Sequence, residues 1–140
     1  VAGLVHDLDY EQTKDDPAQH GLVSGAMLEE RNVDPEIVHA VKSHADNVPV
    51  ETTLDRALYA VDSLTGLIVA SALMHPTKKL EGLDTEFVLR RFGEKKFAAG
   101  ANREQIATCS ELGMTLSAFA IVYVLVELIL LPMTSHSGSN

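Results

Sequence analysis

The sequence predicts an all-α protein, and three observations carry that prediction. Apolar residues recur at three- and four-residue spacing along most of the chain. Asp, Asn or Thr caps stand before those stretches, twice with Pro in the next position. No segment alternates apolar and polar residues as a half-buried strand would, and no hairpin dipeptide occurs.

The elements follow in order. Val1, Leu4 and Val5 form an apolar helical segment that ends near His6-Asp7. Asp16-Pro17 supplies a cap and a first-turn proline and predicts a helix to about Arg31. Asp34-Pro35-Glu36 repeats the signal for a helix to about His44. Pro49 lies in the loop after it. Thr52 or Thr53 opens a long helix to about Leu73, with Leu54, Leu58, Val61, Thr65 and Ile68 on one stripe, and Pro76 ends the segment. Asp84 caps a short helix to about Phe92, and Gly93 suits its end. Asn102 starts a helix that ends near Gly113, and Thr115 caps the last one. No internal repeat or linker appears. The expectation is one domain over residues 1–133, followed by a polar, disordered tail at 134–140 that holds His136.

Composition narrows the function classes. Of 140 residues, 46% are hydrophobic and 22% charged, enough for a real core and too apolar for a disordered chain. Eleven basic against twenty acidic residues leave a net charge of −9, which argues against a general binder of nucleic-acid polymers. The lone cysteine, Cys109, excludes an intrachain disulfide and fits a cytoplasmic protein. Cys109 sits among helical apolar positions and reads as buried filler, not a nucleophile. The opening residues lack a basic region and are not a signal peptide. The run Leu116 to Met133 is about 18 residues, at the lower limit for a membrane span. It contains Glu127 and has no flanking Lys/Arg cluster. It reads as a helix buried in the fold or in a subunit interface, not a membrane anchor. Phe119, Ile121, Val122, Leu125, Val126 and Ile129 are expected to fill a gap in the core or to form a homo-oligomer contact.

Five residues of ligand type carry the chemistry: His6, Asp7, His20, His44 and Asp62. His20 falls three before Val23 and seven before Met27, on the apolar face of its helix. His44 follows Val41 by three and Ile37 by seven, again on the apolar face. Asp62 lies at the edge of the long helix's buried stripe. A lone histidine in such a place is ordinarily a hydrogen-bonded core residue. An inward Asp7 or Asp62 is costly unless it pairs with a cation or histidine, caps a helix or binds a metal. Convergence of four segments favours metal. His39, one position off its stripe, reads as a surface residue, and His75 as a loop residue. Tyr59 and Thr65 flank Asp62 and serve either as supporting groups or as packing. Gly21 and Gly25 form no phosphate cradle. Seven of the eleven basic residues, Lys78, Lys79, Arg90, Arg91, Lys95, Lys96 and Arg103, cluster in one segment.

The ordered set resembles the HD-domain superfamily of metal-dependent phosphohydrolases. His6-Asp7 in VAGLVHDLDYE matches its defining doublet, followed by DPAQHG with His20, VHAVKSHAD with His44 and LYAVDSLTGLIVA with Asp62. MHPTKKL and FAAGANREQI look like the small HD-type predicted hydrolases, so the resemblance covers roughly residues 1–114. It implies an HD-like helical bundle with one or two divalent ions (Mn, Fe, Ni, Zn or Mg). By that resemblance His6, Asp7 and Asp62 hold one metal. His20 and His44 hold a second, with Asp7 bridging and acting in catalysis. Asp7, or an acid beside it such as Asp9, would help orient the attacking water, although Asp9 by itself reads as a loop residue. Lys78, Lys79 and Arg103 are the candidates for substrate phosphate. The expected substrate is a small phosphomonoester or nucleotide. The family pattern begins with a further histidine on an upstream helix. Only five residues precede His6, and none is histidine. The expectation is therefore a chain short of one ligand and one helix, with impaired activity; the alternative is a catalytically degenerate binding or oligomerisation module.

Overall fold

The computed structural model describes residues 1–134, with side chains through residue 125. Among them every regular element is helical: α1 (Ala2–Val5), α2 (Tyr10–Thr13), α3 (Leu22–Glu29), α4 (Pro35–Ser43), α5 (Thr53–Met74), a 3-10 turn (Leu80–Gly82), α6 (Thr85–Gly93), α7 (Arg103–Ala107), a second 3-10 turn (Thr108–Leu112) and α8 (Leu116–Thr134). The chain divides into two compact units, 1–62 and 63–140, and α5 contributes to both.

In the first unit α4 packs against α1 and α3. Ala2, Leu28, Val38, Ala40, Val41 and Leu58 form its core, with Val5, Val33, Ile37 and Leu54 packed against it. Each buried Val or Leu contributes about 1.5–3 kcal/mol. Asp34 caps α4 by accepting from Glu36 N at 2.8 Å. Thr52 and Asp55 close a reciprocal capping box at the start of α5: Thr52 N donates to Asp55 Oδ2 and Asp55 N to Thr52 Oγ1.

The helix expected from Pro17 starts instead at Leu22. Gly21 is its N-cap and takes φ +78°, off the helical path. A Cβ there would stand 2.8 Å from Val41 O and 3.1 Å from His44 Cε1. Residues before Gly21 form turns, held in part by Asn47 Nδ2 donating to Pro17 O and His20 O. The end of α3 also comes early, and Asn32 turns the chain in the left-handed region at φ +54°.

In the second unit α6 and both 3-10 turns pack on α8. Leu64, Leu67, Ile68, Val88, Ile106 and Cys109 are buried, as are Phe119, Ala120 and Val124 of α8. The remaining helix starts agree with the sequence signals. Asp84 accepts from Phe87 N, Asn102 from Glu104 N and Gln105 N, and Thr115 Oγ1 from Ala118 N. Gly113 is left-handed at φ +72°. On α8, Phe119 is buried, whereas Ile121, Val122 and Leu125 are exposed. Val126, Glu127 and Ile129 lie outside the described side chains, and His136 and the tail from residue 135 outside the described residues. By length and composition alone, α5 is apolar enough to cross a membrane. Its Leu58, Leu64, Leu67 and Ile68 are buried, as in the core helix of a globular protein.

Candidate metal centre

His6, Asp7, His20, His44 and Asp62 all belong to the first unit and come together there. The last turn of α1 delivers His6 and Asp7, with His6 Nδ1 donating to Gly3 O at 2.8 Å. His44 is the C-cap of α4, and its Nδ1 donates to Val41 O at 2.5 Å. A carbonyl oxygen only accepts, so both rings carry their proton on Nδ1. His20, just before Gly21, places Nδ1 3.0 Å from Asp9 Oδ1 and 3.1 Å from Thr13 Oγ1.

The three Nε2 atoms consequently face inward. His6 Nε2 stands 3.3 Å from Asp7 Oδ2 and 3.3 Å from Asp62 Oδ1. His20 Nε2 is 3.2 Å and His44 Nε2 3.6 Å from Asp7 Oδ1. The two imidazole Nε2 atoms of His20 and His44 are 3.3 Å apart. Asp7 thus spans the group, one oxygen toward His6 and the other toward His20 and His44. The rings of His6 and His20 each meet His44 edge-on at 5.0 Å.

The electrostatics match a place for positive charge. Hydrogen bonding to Asp62 and then to Asp7 pushes the His6 pKa from 6.5 up to about 10, against the opposing effect of burial. Bonds from His44 and His6 hold the Asp7 carboxyl far below the usual carboxylate range. Ligand atoms of His6, Asp7 and His44 lie within 4.8 Å of one another, a spacing that one ion can join. The donor set, imidazole nitrogens with carboxylates, suits Zn, Mn, Fe or Ni. Each Nδ1 is held by an acceptor, the usual support of a ligating histidine.

One expectation needs correcting. Asp7 and Asp62 do not point into the interior: their side chains are 48% and 37% exposed, and only His44 is fully buried. Helical periodicity identifies the face but not the depth, and these two sit at its rim. The cost of burying a carboxylate is therefore only partial: at Asp7 burial still pushes the pKa up, and the bonds from His44 and His6 outweigh it.

Asp9 is the residue that sequence reasoning undervalued. It is wholly buried, so it has no access to an attacking water. Its Oδ2 accepts from Gly21 N at 2.9 Å and Ser24 N at 2.8 Å. Burial pushes its pKa up, but bonds from Ser24, the nearby His20 and Gly21 N outweigh this and hold the carboxyl below its ordinary value. Gly21 is likewise not idle, since its N–H meets Asp9 and its missing Cβ admits His44. The only linear hint of either was adjacency to a ligand. A cavity of about 230 Å³ beside His20 is lined by Tyr10, Thr13, Lys14, Pro17 and Ala45.

The other named residues lie elsewhere. His39, expected on the surface, is half-buried and bonds through Nδ1 to the buried Asp55 Oδ2 at 2.8 Å. Tyr59 and Thr65 are half-buried. Lys78, Lys79 and Arg103 belong to the second unit. Lys78 and Lys79 are exposed. Arg103 donates to the carbonyls of Ala98 and Ala101 at 2.7 Å each, and to those of Phe92, Arg91, Glu94 and Phe97. Its guanidinium is committed to this loop, and a phosphate would have to displace those bonds. His75 bonds Thr77 Oγ1 in the turn after α5. Cys109 is buried, and burial pushes its thiol pKa up.

Comparison with known proteins finds a curated Ribonuclease Y from Oleidesulfovibrio alaskensis, 27% identical over 106 residues. The match covers 74% of this chain and 20% of that protein, so the chain spans about a fifth of the length of the relative it matches. No protein-family model matches the chain, and no solved structure does.

Proposed function

We propose that the chain is an HD-type, metal-dependent phosphohydrolase domain acting on a phosphomonoester or nucleotide. One observation carries this reading: three histidines, each with Nδ1 tied as a donor, turn their Nε2 atoms onto two carboxylates. The residues fit a divalent ion. His6, Asp7 and Asp62 would hold one, and His20 and His44 a second with Asp7 between them. A bound divalent ion supplies Lewis acidity to a phosphoryl oxygen and lowers the pKa of water. The chain's own groups do the rest. The bonds to Gly3, Val41 and Asp9 hold the rings in register. Asp7, half open to solvent, accepts a hydrogen bond from the attacking water. The 230 Å³ cavity at His20 takes the small group next to the phosphoryl, with Lys14 at its wall.

Lys78 and Lys79 stay as candidates for substrate phosphate; Arg103, whose donors are occupied, is the weakest. The matched relative's name raises RNA as a substrate. A net charge of −9 disfavours a polyanion, which needs several basic contacts for affinity, and favours a small ester. We further infer a cytoplasmic homo-oligomer that uses the exposed Ile121, Val122 and Leu125 of α8 as its contact, without a membrane partner.

Metal analysis of the purified protein tests the central claim. One equivalent or more of a transition ion, lost in a His44→Ala/Asp62→Ala variant, is expected, with hydrolysis of p-nitrophenyl phosphate or a nucleoside monophosphate lost alongside. No metal under any loading condition overturns the hydrolase reading. Metal without turnover of any phosphoester, short RNA included, leaves a binding module.

A further inference from the structure

We infer that Asp9 is a positioning residue that fixes the His20 tautomer, keeping the proton on Nδ1 and the Nε2 lone pair turned toward Asp7 and His44. Its consequence for metal rests on the reading above; the tautomer itself does not.

Every polar atom of Asp9 has a defined partner. Its N–H donates to Ser24 Oγ at 3.0 Å, and its backbone oxygen accepts from Thr13 Oγ1 at 2.9 Å. Oδ2 faces two backbone N–H groups, of Gly21 and Ser24, which can only donate. Oδ1 faces His20 Nδ1. The Thr13 hydroxyl, its hydrogen spent on Asp9 O, also turns a lone pair to His20 Nδ1 at 3.1 Å. Two acceptors thus meet Nδ1, one of them a wholly buried carboxylate at 3.0 Å, against a single half-exposed carboxylate oxygen, Asp7 Oδ1 at 3.2 Å, facing Nε2; the balance of acceptors places the neutral ring's proton on Nδ1.

An asparagine at this position has one acceptor instead of two. The Gly21 and Ser24 N–H groups claim it, because backbone donors cannot reverse. The amide NH2 must then face His20 Nδ1, donor against donor. The ring answers by moving its proton to Nε2, which removes the lone pair from the centre. Both backbone bonds that cap α3 survive the exchange, so the fold is retained while the ligand is lost.

The test uses long-range ¹H–¹⁵N correlation spectra of metal-free protein across a pH series, with His20 assigned by the signal absent from His20→Gln and its tautomer read from the neutral-ring spectra. Wild type is expected to show Nδ1–H, Asp9→Asn to show Nε2–H, and Thr13→Val to keep the wild-type form. Zn²⁺ affinity, by chelator competition, should fall roughly 10–100-fold in Asp9→Asn. An Nε2–H His20 in wild type overturns the inference whether or not any variant folds. So does an Asp9→Asn protein with wild-type tautomer and affinity. Wild type that keeps the Nδ1–H ring but never binds Zn²⁺ overturns the metal reading and leaves the tautomer assignment standing.

Discussion

On the proposed reading, a proton and a divalent ion would compete for the same atom, His6 Nε2. Its other nitrogen is tied to Gly3 O, and Nε2 sits 3.3 Å from both Asp62 Oδ1 and Asp7 Oδ2. In metal-free protein this raises the His6 pKa from 6.5 to about 10. At full strength the rise corresponds to roughly 5 kcal/mol, at about 1.36 kcal/mol per pH unit. Both carboxylates are more than a third open to solvent, and screening reduces this to roughly 2–3 kcal/mol. The folded pKa is raised, so this stability is fully present below pH 6.5 and is lost as pH climbs through about 10. Metal uptake runs the other way. A ligating Nε2 must shed its proton, so each ion bound between those limits releases about one proton and affinity rises about tenfold per pH unit. Calorimetric titration with Zn²⁺ in buffers of different ionisation heat counts that proton. The Asp62→Asn variant, which removes the largest cause of the raised pKa, should release distinctly less than one at mildly alkaline pH. Zn²⁺ affinity that is flat from neutral to mildly alkaline pH, with no proton released, would refute the assignment of Nε2 as a ligand.

Further outcomes follow from single contacts. Gly21→Ala forces a Cβ into the left-handed region and against Val41 O; it should cost roughly 1–3 kcal/mol in urea unfolding and weaken metal binding through His44. A change below about 0.5 kcal/mol would mean that the turn relaxes freely. Arg103→Met takes the donor from the carbonyls of Phe97 and Ala101, while those of Arg91, Glu94 and Ala98 keep backbone N–H partners, and should destabilise by roughly 1–3 kcal/mol, with Arg103→Lys a poor rescue because one ammonium replaces a planar fork. Full stability of Arg103→Met, with a phosphoesterase defect instead, would return Arg103 to substrate binding. Val122→Glu on the exposed face of α8 should shift the protein to a smaller species in size-exclusion chromatography with light scattering; an unchanged mass shows that this face is not the contact.

Why some of this was readable from the sequence, and some not, comes down to the range of the contact involved. The starts of α4, α6, α7 and α8 were legible because their caps are two or three residues from the N–H groups they meet: Asp34 with Glu36, Asp84 with Phe87, Asn102 with Glu104, Thr115 with Ala118. Asp16-Pro17 carries the same local signal, but α3 starts later because Asp9 caps it from 12 to 15 residues away. His39 escaped notice for the same reason, its partner Asp55 being 16 residues on. That His6, Asp7, His20, His44 and Asp62 come together could be anticipated because a group of ligand type is recognised by its own side chain and the face it occupies. An orienting group such as Asp9 is defined by what meets it after folding, and its residue type alone says only that it is an acid. Depth behaves likewise: helical spacing put Asp7 and Asp62 on the correct side, yet only the packed chain leaves them at an open rim. That openness bears on the proposed chemistry: a carboxylate pair in reach of solvent would admit an ion and a small ester without unfolding α1 or α5, with the buried Asp9 and His44 as the fixed side of the site.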